Sequence, residues 1–92
     1  MRSRYSAYAK ALVPYLLRTW DASTRPADLE LDPALHWVAL EVLATSGGGE
    51  HDDTGTVEFA AHHDRGGISG VLHEVSRFRR SDGCWVYLDG SP

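Results

Sequence analysis

The sequence has few of the residues that build disulfide or zinc frameworks. Its 92 residues include a single cysteine, Cys84, so neither an intramolecular disulfide nor a Cys-x-x-Cys zinc pair can form. No apolar run approaches the roughly 18 residues that a membrane span needs, and no secretory apolar stretch follows Met1. These absences argue against a disulfide-rich secreted domain. We expect a cytoplasmic protein with no membrane partner.

Basic residues are missing from the middle of the chain. Residues 27–64 contain nine acidic side chains and no Lys or Arg, whereas residues 1–26 contain five basic side chains and one acid. The formal net charge is −4. Because charge blocks usually pair or face solvent, we expect the basic N-terminal helix to lie near the acidic half. The arginines of residues 65–92 form a sparse patch, so we do not expect nucleic-acid binding.

The N-terminal part of the chain has a helical pattern. Apolar and aromatic residues recur at helical spacing at Tyr5, Tyr8, Ala9, Leu12, Leu16, Leu17 and Trp20. Pro14 would remove a hydrogen bond from the interior of a helix, so we predict a break near Val13 and a second helix that starts there. Residues 21–33 contain Ser, Thr and two prolines and should form a loop.

From His36 onward the apolar residues alternate, which is typical of strands. We predict strands at residues 36–45, 56–64, 69–80 and 84–89. The dipeptides Gly66-Gly67 and Asp82-Gly83 favour two-residue hairpin turns, because both positions need positive φ. The chain is therefore predicted to be a single domain over residues 1–92. Its fold class is α+β, with N-terminal helices on one face of a four-stranded antiparallel meander.

Two-residue turns also predict which residues face each other across the sheet. Counting back from the turns places Phe59 opposite Glu74. It also places Ser76 opposite Asp89, and Tyr87 follows on the same face. This is the more apolar face, and the helices should cover it.

Glu74 is the unusual residue on that face, because a carboxylate there is costly unless it is paired or hydrogen-bonded. Two interpretations remain open. Either an arginine of the helix, Arg4 or Arg2, pairs with Glu74, or Glu74 lines a cavity that holds water or a ligand. The pocket candidates are Glu74, Ser76, Tyr87, Asp89, Trp20, Phe59 and Arg4.

The histidines do not predict a metal site. His62 and His63 are adjacent in a strand and point to opposite faces, so they cannot easily share one ion. We predict neither a metal nor a cofactor, since metal sites need three or four convergent ligands.

Several short segments, spread over nearly the whole chain, resemble one family. They are Met1-Arg-Ser-Arg-Tyr-Ser-Ala-Tyr8, Thr19-Trp20, Ser23-Thr-Arg-Pro26, Gly55-Thr-Val-Glu-Phe59, Leu72-His-Glu-Val-Ser-Arg-Phe78 and Trp85-Val-Tyr-Leu-Asp-Gly90. The chain is similar to the central domain of the YchJ-like proteins. That resemblance implies the nuclear-transport-factor-two-like (SnoaL-like, cystatin-related) superfamily. Its members are cones in which helices close over a curved antiparallel sheet and often leave a pocket inside.

The chain also departs from that family. Many YchJ-like proteins carry flanking Sec-C motifs thought to bind zinc, and neither flank is present here, so no metal binding is carried over. Members often have a histidine after the Thr-Trp pair, where this chain has Asp21. The family implies no catalytic residues.

Three functions are consistent with these features. The first is a non-enzymatic binding or accessory module with a partly polar pocket around Glu74 that takes a small-molecule ligand. The second is a small SnoaL-like enzyme that uses Glu74 as general base. This alternative rests on the analogy of the fold alone. The third is an interaction module that forms a homodimer through the outer sheet face, where Val75, Val86 and Leu88 would form an apolar patch.

Overall fold

The structure is a computed structural model that describes residues 2–92. Two helices are followed by four strands: α1 (Arg2–Ala9), α2 (Val13–Arg18), β1 (Leu35–Gly47), β2 (Thr54–Arg65), β3 (Ile68–Ser81) and β4 (Cys84–Ser91). The predicted α+β class is confirmed, and each strand extends slightly beyond its predicted bounds. Neither helix of the described chain is long and apolar enough to cross a membrane.

The break between the helices lies where proline predicts it. Ala11 adopts a positive φ of 56° between α1 and α2. Pro14 then occupies the first turn of α2, where a missing backbone N–H costs nothing. The two helices contact each other, and α1 also contacts β1. The basic helix therefore does lie against a strand of the acidic half, although no ion pair within residues 2–92 joins the two.

The strands follow the order β1-β2-β3-β4 as an antiparallel meander. Both predicted hairpin turns are present, since Gly66 and Gly67 have φ of 61° and 83° and Asp82 and Gly83 have φ of 51° and 81°. The β2–β3 register is the predicted one, with Phe59 opposite Glu74. We call the face that carries Phe59 and contacts the helices the inner face, and the opposite one the outer face.

The β3–β4 register departs from prediction beyond Tyr87. An irregularity between Arg77 and Phe78 leaves Leu88 as an extra residue, so Asp89 pairs with Arg77 and Gly90 pairs with Ser76. One added residue reverses the alternation of side chains. The prediction that Asp89 lies beside Ser76 is therefore wrong. Asp89 lies on the outer face, in a two-pronged ion pair with the Arg77 guanidinium.

The connection after α2 covers the free edge of β4. The backbone N–H of Asp21 donates to the carbonyl oxygen of Tyr87 (2.7 Å), and the N–H of Tyr87 donates to the carbonyl oxygen of Thr19 (2.8 Å). These bonds place Trp20 and Asp21 beside β4 and protect an edge that would otherwise present unpaired backbone groups.

Ion pairs neutralise three of the four arginines in the sparse patch of the C-terminal segment. Arg65 bonds Asp32, Arg77 bonds Asp89 and Arg79 bonds Asp21. The fourth arginine, Arg80, donates to three backbone carbonyl oxygens of residues 49–52 and stacks over a tryptophan ring. The outer face adds the cross-strand pairs Glu41–His62 and Glu58–His73.

Candidate functional site

A cavity of about 180 Å³ lies between α1 and the inner face of the sheet. Helix α1 contributes Arg4, Tyr5 and Tyr8 to its lining. The sheet contributes Trp37, Phe59, Ala61, Leu72, Glu74, Ser76 and Tyr87. Its walls are thus mostly aromatic or apolar, and the charged side chains are one arginine and one carboxylate.

The structure brings five of the seven pocket candidates to this cavity, namely Glu74, Ser76, Tyr87, Phe59 and Arg4. The other two are not among its lining residues. Asp89 is on the outer face because of the added residue in β4. Trp20 lies behind Tyr87, with the two rings in an edge-on arrangement at 5.0 Å between centroids.

The Glu74 carboxylate is held from one side only. The Ser76 hydroxyl, which is fully buried, donates to Oε2 at 2.5 Å, and the Tyr87 hydroxyl donates to the same oxygen at 3.4 Å. Within residues 2–92, Oε1 has no hydrogen-bond partner and no basic nitrogen lies within 4.0 Å of the carboxylate. Of the two interpretations of Glu74, the structure has the cavity, and neither Arg4 nor Arg2 forms an ion pair with the carboxylate.

Gly90 provides the space in which the Glu74 side chain lies. A Cβ at position 90 would be 2.4 Å from Cδ and 2.5 Å from Oε2 of Glu74. The carboxylate therefore lies directly against the β4 backbone. Sequence reasoning missed this contact, because it depends on the added residue that pairs Gly90 with Ser76.

Arg4 is the buried charge of the cavity, at 4% exposure. Its Nη1 donates to the carbonyl oxygen of Leu16 (3.0 Å) and to Oγ1 of Thr19 (2.6 Å). Its Cζ lies 4.7 Å from the ring centroid of Tyr87 and 5.2 Å from that of Trp20. No carboxylate within the described chain lies within ion-pair distance of Arg4. Burial accordingly lowers the pKa of Arg4, while the nearby Tyr8 raises it.

Two tyrosine hydroxyls complete the polar part of the lining. Burial raises the pKa of Tyr87 well above its usual value, and the negative charge of Glu74 adds to the effect. Burial also raises the pKa of Tyr8, although the positive charge of Arg4 opposes it. Both hydroxyls therefore stay protonated at neutral pH. That of Tyr87 donates to Glu74, and that of Tyr8 can donate to another group.

Sequence reasoning missed Trp37, Leu72 and Ala61 as cavity residues. Trp37 contacts Tyr5 and His63 edge-on, at centroid distances of 6.3 and 5.5 Å. Its position could not be predicted, because β1 and β2 are joined by a long connection and their pairing contains two irregularities. Among residues 2–92 no three His, Cys, Asp or Glu side chains come together as metal ligands.

A buried carboxylate, that of Asp21, lies beside the cavity in the segment that covers the free edge of β4. Asp21 is 2% exposed, and its Oδ1 accepts hydrogen bonds from the backbone N–H and the hydroxyl of Ser23 at 2.9 and 2.8 Å. Its Oδ2 accepts one from Nε of Arg79. The hydrogen bond from Arg79 and then those from Ser23 lower the pKa of Asp21 from 3.8 to about 2, against the opposing effect of burial.

Acid should therefore destabilise the fold as Asp21 takes up a proton. Since its pKa is lower in the folded chain, the stability it contributes is fully present above pH 3.8 and is lost as the pH falls toward 2. In urea denaturation we expect Asp21→Asn to be less stable than the wild type at neutral pH. That deficit should shrink between about pH 4 and about pH 2. Asp53→Asn, which removes an exposed carboxylate, is the control. A deficit that is constant over this range would contradict the assignment.

Helices that close over a four-stranded antiparallel sheet, with a cavity between the two layers, define the class of NTF2-like domains. Residues 1–90 match the family described as "YchJ, middle NTF2-like domain", and the chain belongs to that family. The resemblance found in the sequence motifs is thus confirmed.

Individual relatives agree with this assignment. UPF0225 protein SCO1677 of Streptomyces coelicolor is 54% identical over 90 residues, which cover 98% of this chain and 69% of that protein. A UPF0225 protein of Chromobacterium violaceum is 50% identical over 93 residues, with 98% and 69% covered. The solution structure of RPA3114, a SEC-C motif containing protein from Rhodopseudomonas palustris, has a TM-score of 0.83 at 35% identity, covering 99% of this chain and 73% of that one. These relatives share the fold and extend beyond the part that matches.

Proposed function

We propose that this domain is a non-enzymatic binding module whose cavity takes a small molecule. The observation that supports this proposal is Oε1 of Glu74, an oxygen without a hydrogen-bond partner among residues 2–92 on a side chain that lines the cavity. Glu74 is half-buried and its Oε1 is accessible from the cavity, so this oxygen is open to an incoming molecule. A few convergent polar groups in an otherwise apolar cavity are also typical of ligand sites.

The volume of the cavity suits a small ligand. Its 180 Å³ slightly exceeds the roughly 150 Å³ of an engineered protein cavity that binds benzene. A molecule about the size of one six-membered ring therefore fits between Trp37, Phe59 and Tyr87. Its ring would contact the aromatic walls while a polar substituent reaches Glu74.

A second candidate uses the same carboxylate as a general base. Oε1 of Glu74 could accept a proton from an acidic carbon of the bound molecule, and the protonated hydroxyl of Tyr8 could donate to the oxygen that becomes negative. Turnover of a small carbon acid that Glu74→Gln abolishes would favour this enzyme over the binding module. Unchanged turnover in that variant would exclude Glu74 as the base.

The homodimer predicted through the outer face is a third proposal. Val75, Val86 and Leu88 are half-buried there, and Val71 is exposed at 57%. Cross-strand ion pairs occupy much of the same face. Sedimentation equilibrium at high micromolar concentration tests it, since a monomer under those conditions excludes a functional dimer.

The stability of Glu74→Gln tests whether this carboxylate has a structural role. The amide oxygen of glutamine can still accept the hydrogen bond from Ser76, and no ion pair is broken. We therefore expect a free energy of unfolding within about 1 kcal/mol of the wild type, or slightly above it. Urea denaturation at neutral pH measures the difference. The control is Glu30→Gln, which removes an exposed carboxylate that forms no ion pair within residues 2–92. A loss of about 3–5 kcal/mol, as for a broken buried ion pair, would make Glu74 structural.

Binding itself can be tested with a library of one-ring fragments and protein-observed NMR. We expect hits to shift the amide signals of residues 72–76 and the indole signal of Trp37. Glu74→Gln should weaken the hits that carry a hydrogen-bond donor. If no fragment shifts these signals at millimolar concentration, the binding proposal is wrong.

A further inference from the structure

The cavity holds two opposite charges that do not pair. Arg4 and Glu74 both line it and both have long side chains, yet no nitrogen of Arg4 lies within 4.0 Å of the Glu74 carboxylate. Each is instead held by neutral groups on its own side. Arg4 is tied to Leu16 and Thr19, while Glu74 is tied to Ser76 and Tyr87.

Both groups keep unused hydrogen-bonding capacity. The two short hydrogen bonds of Arg4 use Nη1, and the Tyr8 hydroxyl lies beside the guanidinium, so Nε and Nη2 have no carbonyl or carboxylate acceptor within residues 2–92. Both bonds to Glu74 use Oε2, so Oε1 is equally free in the described chain. At 4% exposure, Arg4 is a buried cation that has no carboxylate partner within residues 2–92, and the rings of Tyr87 and Trp20 compensate it only in part.

We infer that the ligand is dipolar, with a carboxylate-like acceptor that binds Arg4 and an amine-like donor that binds Glu74. Such a molecule completes the hydrogen bonds of both side chains at once and leaves the cavity electrically neutral. An anion without a donor would face the negative charge of Glu74, and a cation without an acceptor would face the positive charge of Arg4. The aromatic walls and the volume favour a small ring between the two polar ends. This inference rests on the proposed binding function and names its ligand class.

The test compares probes that differ only in their polar ends. Toluene carries neither group, benzoate only the acceptor and benzylamine only the donor, whereas 3-(aminomethyl)benzoate and 4-(aminomethyl)benzoate carry both at two spacings. L-valine tests a free α-amino acid as the source of the same two groups. Dissociation constants come from NMR titration of the wild type. We expect at least one probe with both groups to bind about tenfold more tightly than any single-group probe.

Two variants test whether Glu74 causes the tighter binding of the probes that carry both groups. Glu74→Gln removes the charge and keeps the shape, so the preference over benzoate should disappear. Gly90→Ala keeps the charge but forces the carboxylate to move, because the new Cβ would lie 2.4 Å from its Cδ. It should produce the same loss. Arg4→Lys should reduce the preference of the two-group probes over benzylamine. If Arg4→Lys does not fold, Glu74→Gln and Gly90→Ala alone test the inference.

The outcomes separate the two proposals. Probes that bind with equal affinity whatever their polar ends would overturn the dipolar ligand and leave the binding module standing. A preference for both groups that persists in Glu74→Gln and Gly90→Ala would also overturn the inference, because another site would then be responsible. If no probe binds, both proposals fail.

Discussion

Replacing Arg4 by alanine should lower the free energy of unfolding by about 2–3 kcal/mol, a large effect for one residue of a small domain. Arg4 donates to the carbonyl oxygen of Leu16, one of the last carbonyls of α2, which have no partner inside the helix. The substitution removes this bond, the bond to Thr19 and the stacking on Tyr87. Relief from burying a charge offsets part of the loss, which is why we do not expect more. Urea denaturation monitored by tryptophan fluorescence measures the change.

Arg2 offers a matched control on the same helix. It is exposed, so Arg2→Ala should change stability by no more than about 0.5 kcal/mol. Arg4→Lys should fall between the two, because an ammonium can reach one acceptor but cannot stack as a planar group. Equal stabilities for Arg4→Ala and Arg2→Ala would show that the contacts of Arg4 contribute nothing net to the fold.

The turns explain how much of the sheet could be predicted. Gly66-Gly67 and Asp82-Gly83 set the register of β2 against β3 throughout and of β3 against β4 as far as Tyr87. From these pairs alone, Glu74 could be placed on the inner face beside Phe59. The extra residue at Leu88 carries no glycine or proline signal of its own, so the position of Asp89 could not be predicted.

The partner of Arg4 depends on tertiary contacts and could not be predicted from local pattern. An arginine on α1 could reach either Glu74 on the sheet or the end of α2. The structure has the second arrangement, because α2 directly follows α1 and its terminal carbonyls need donors. The consequence reaches the site itself, since Glu74 is left without a cation within residues 2–92.

Asp21, the residue after Thr19-Trp20, has a structural role. The residue after Thr19-Trp20 is buried beside β4, where a carboxylate accepts hydrogen bonds from Ser23 and Arg79. We infer that the ion pair of Asp21 and Arg79 holds the segment after α2 against the free edge of β4, close to Tyr87 in the cavity wall.

Phe59→Ala should lower the free energy of unfolding by about 3–4 kcal/mol, because the ring is 4% exposed and its removal enlarges an existing cavity. Phe59→Leu, which keeps most of the volume, should lose only about 1 kcal/mol. The enlarged cavity lies between Trp37, Glu74 and Tyr87, so it should take up an added aromatic ring.

Added toluene should therefore partly restore the stability of Phe59→Ala. A ligand that binds only the folded chain stabilises it by RT ln(1 + [L]/Kd), so the urea midpoint should rise with toluene concentration. The rise should be larger in Phe59→Ala than in Phe59→Leu, in which little space is created. If toluene leaves the midpoint of Phe59→Ala unchanged, the sheet has collapsed into the space and the cavity is not held open by the fold. A rescued midpoint would instead show that helix α1 and the sheet keep their separation without this ring, as a binding site requires before its ligand arrives.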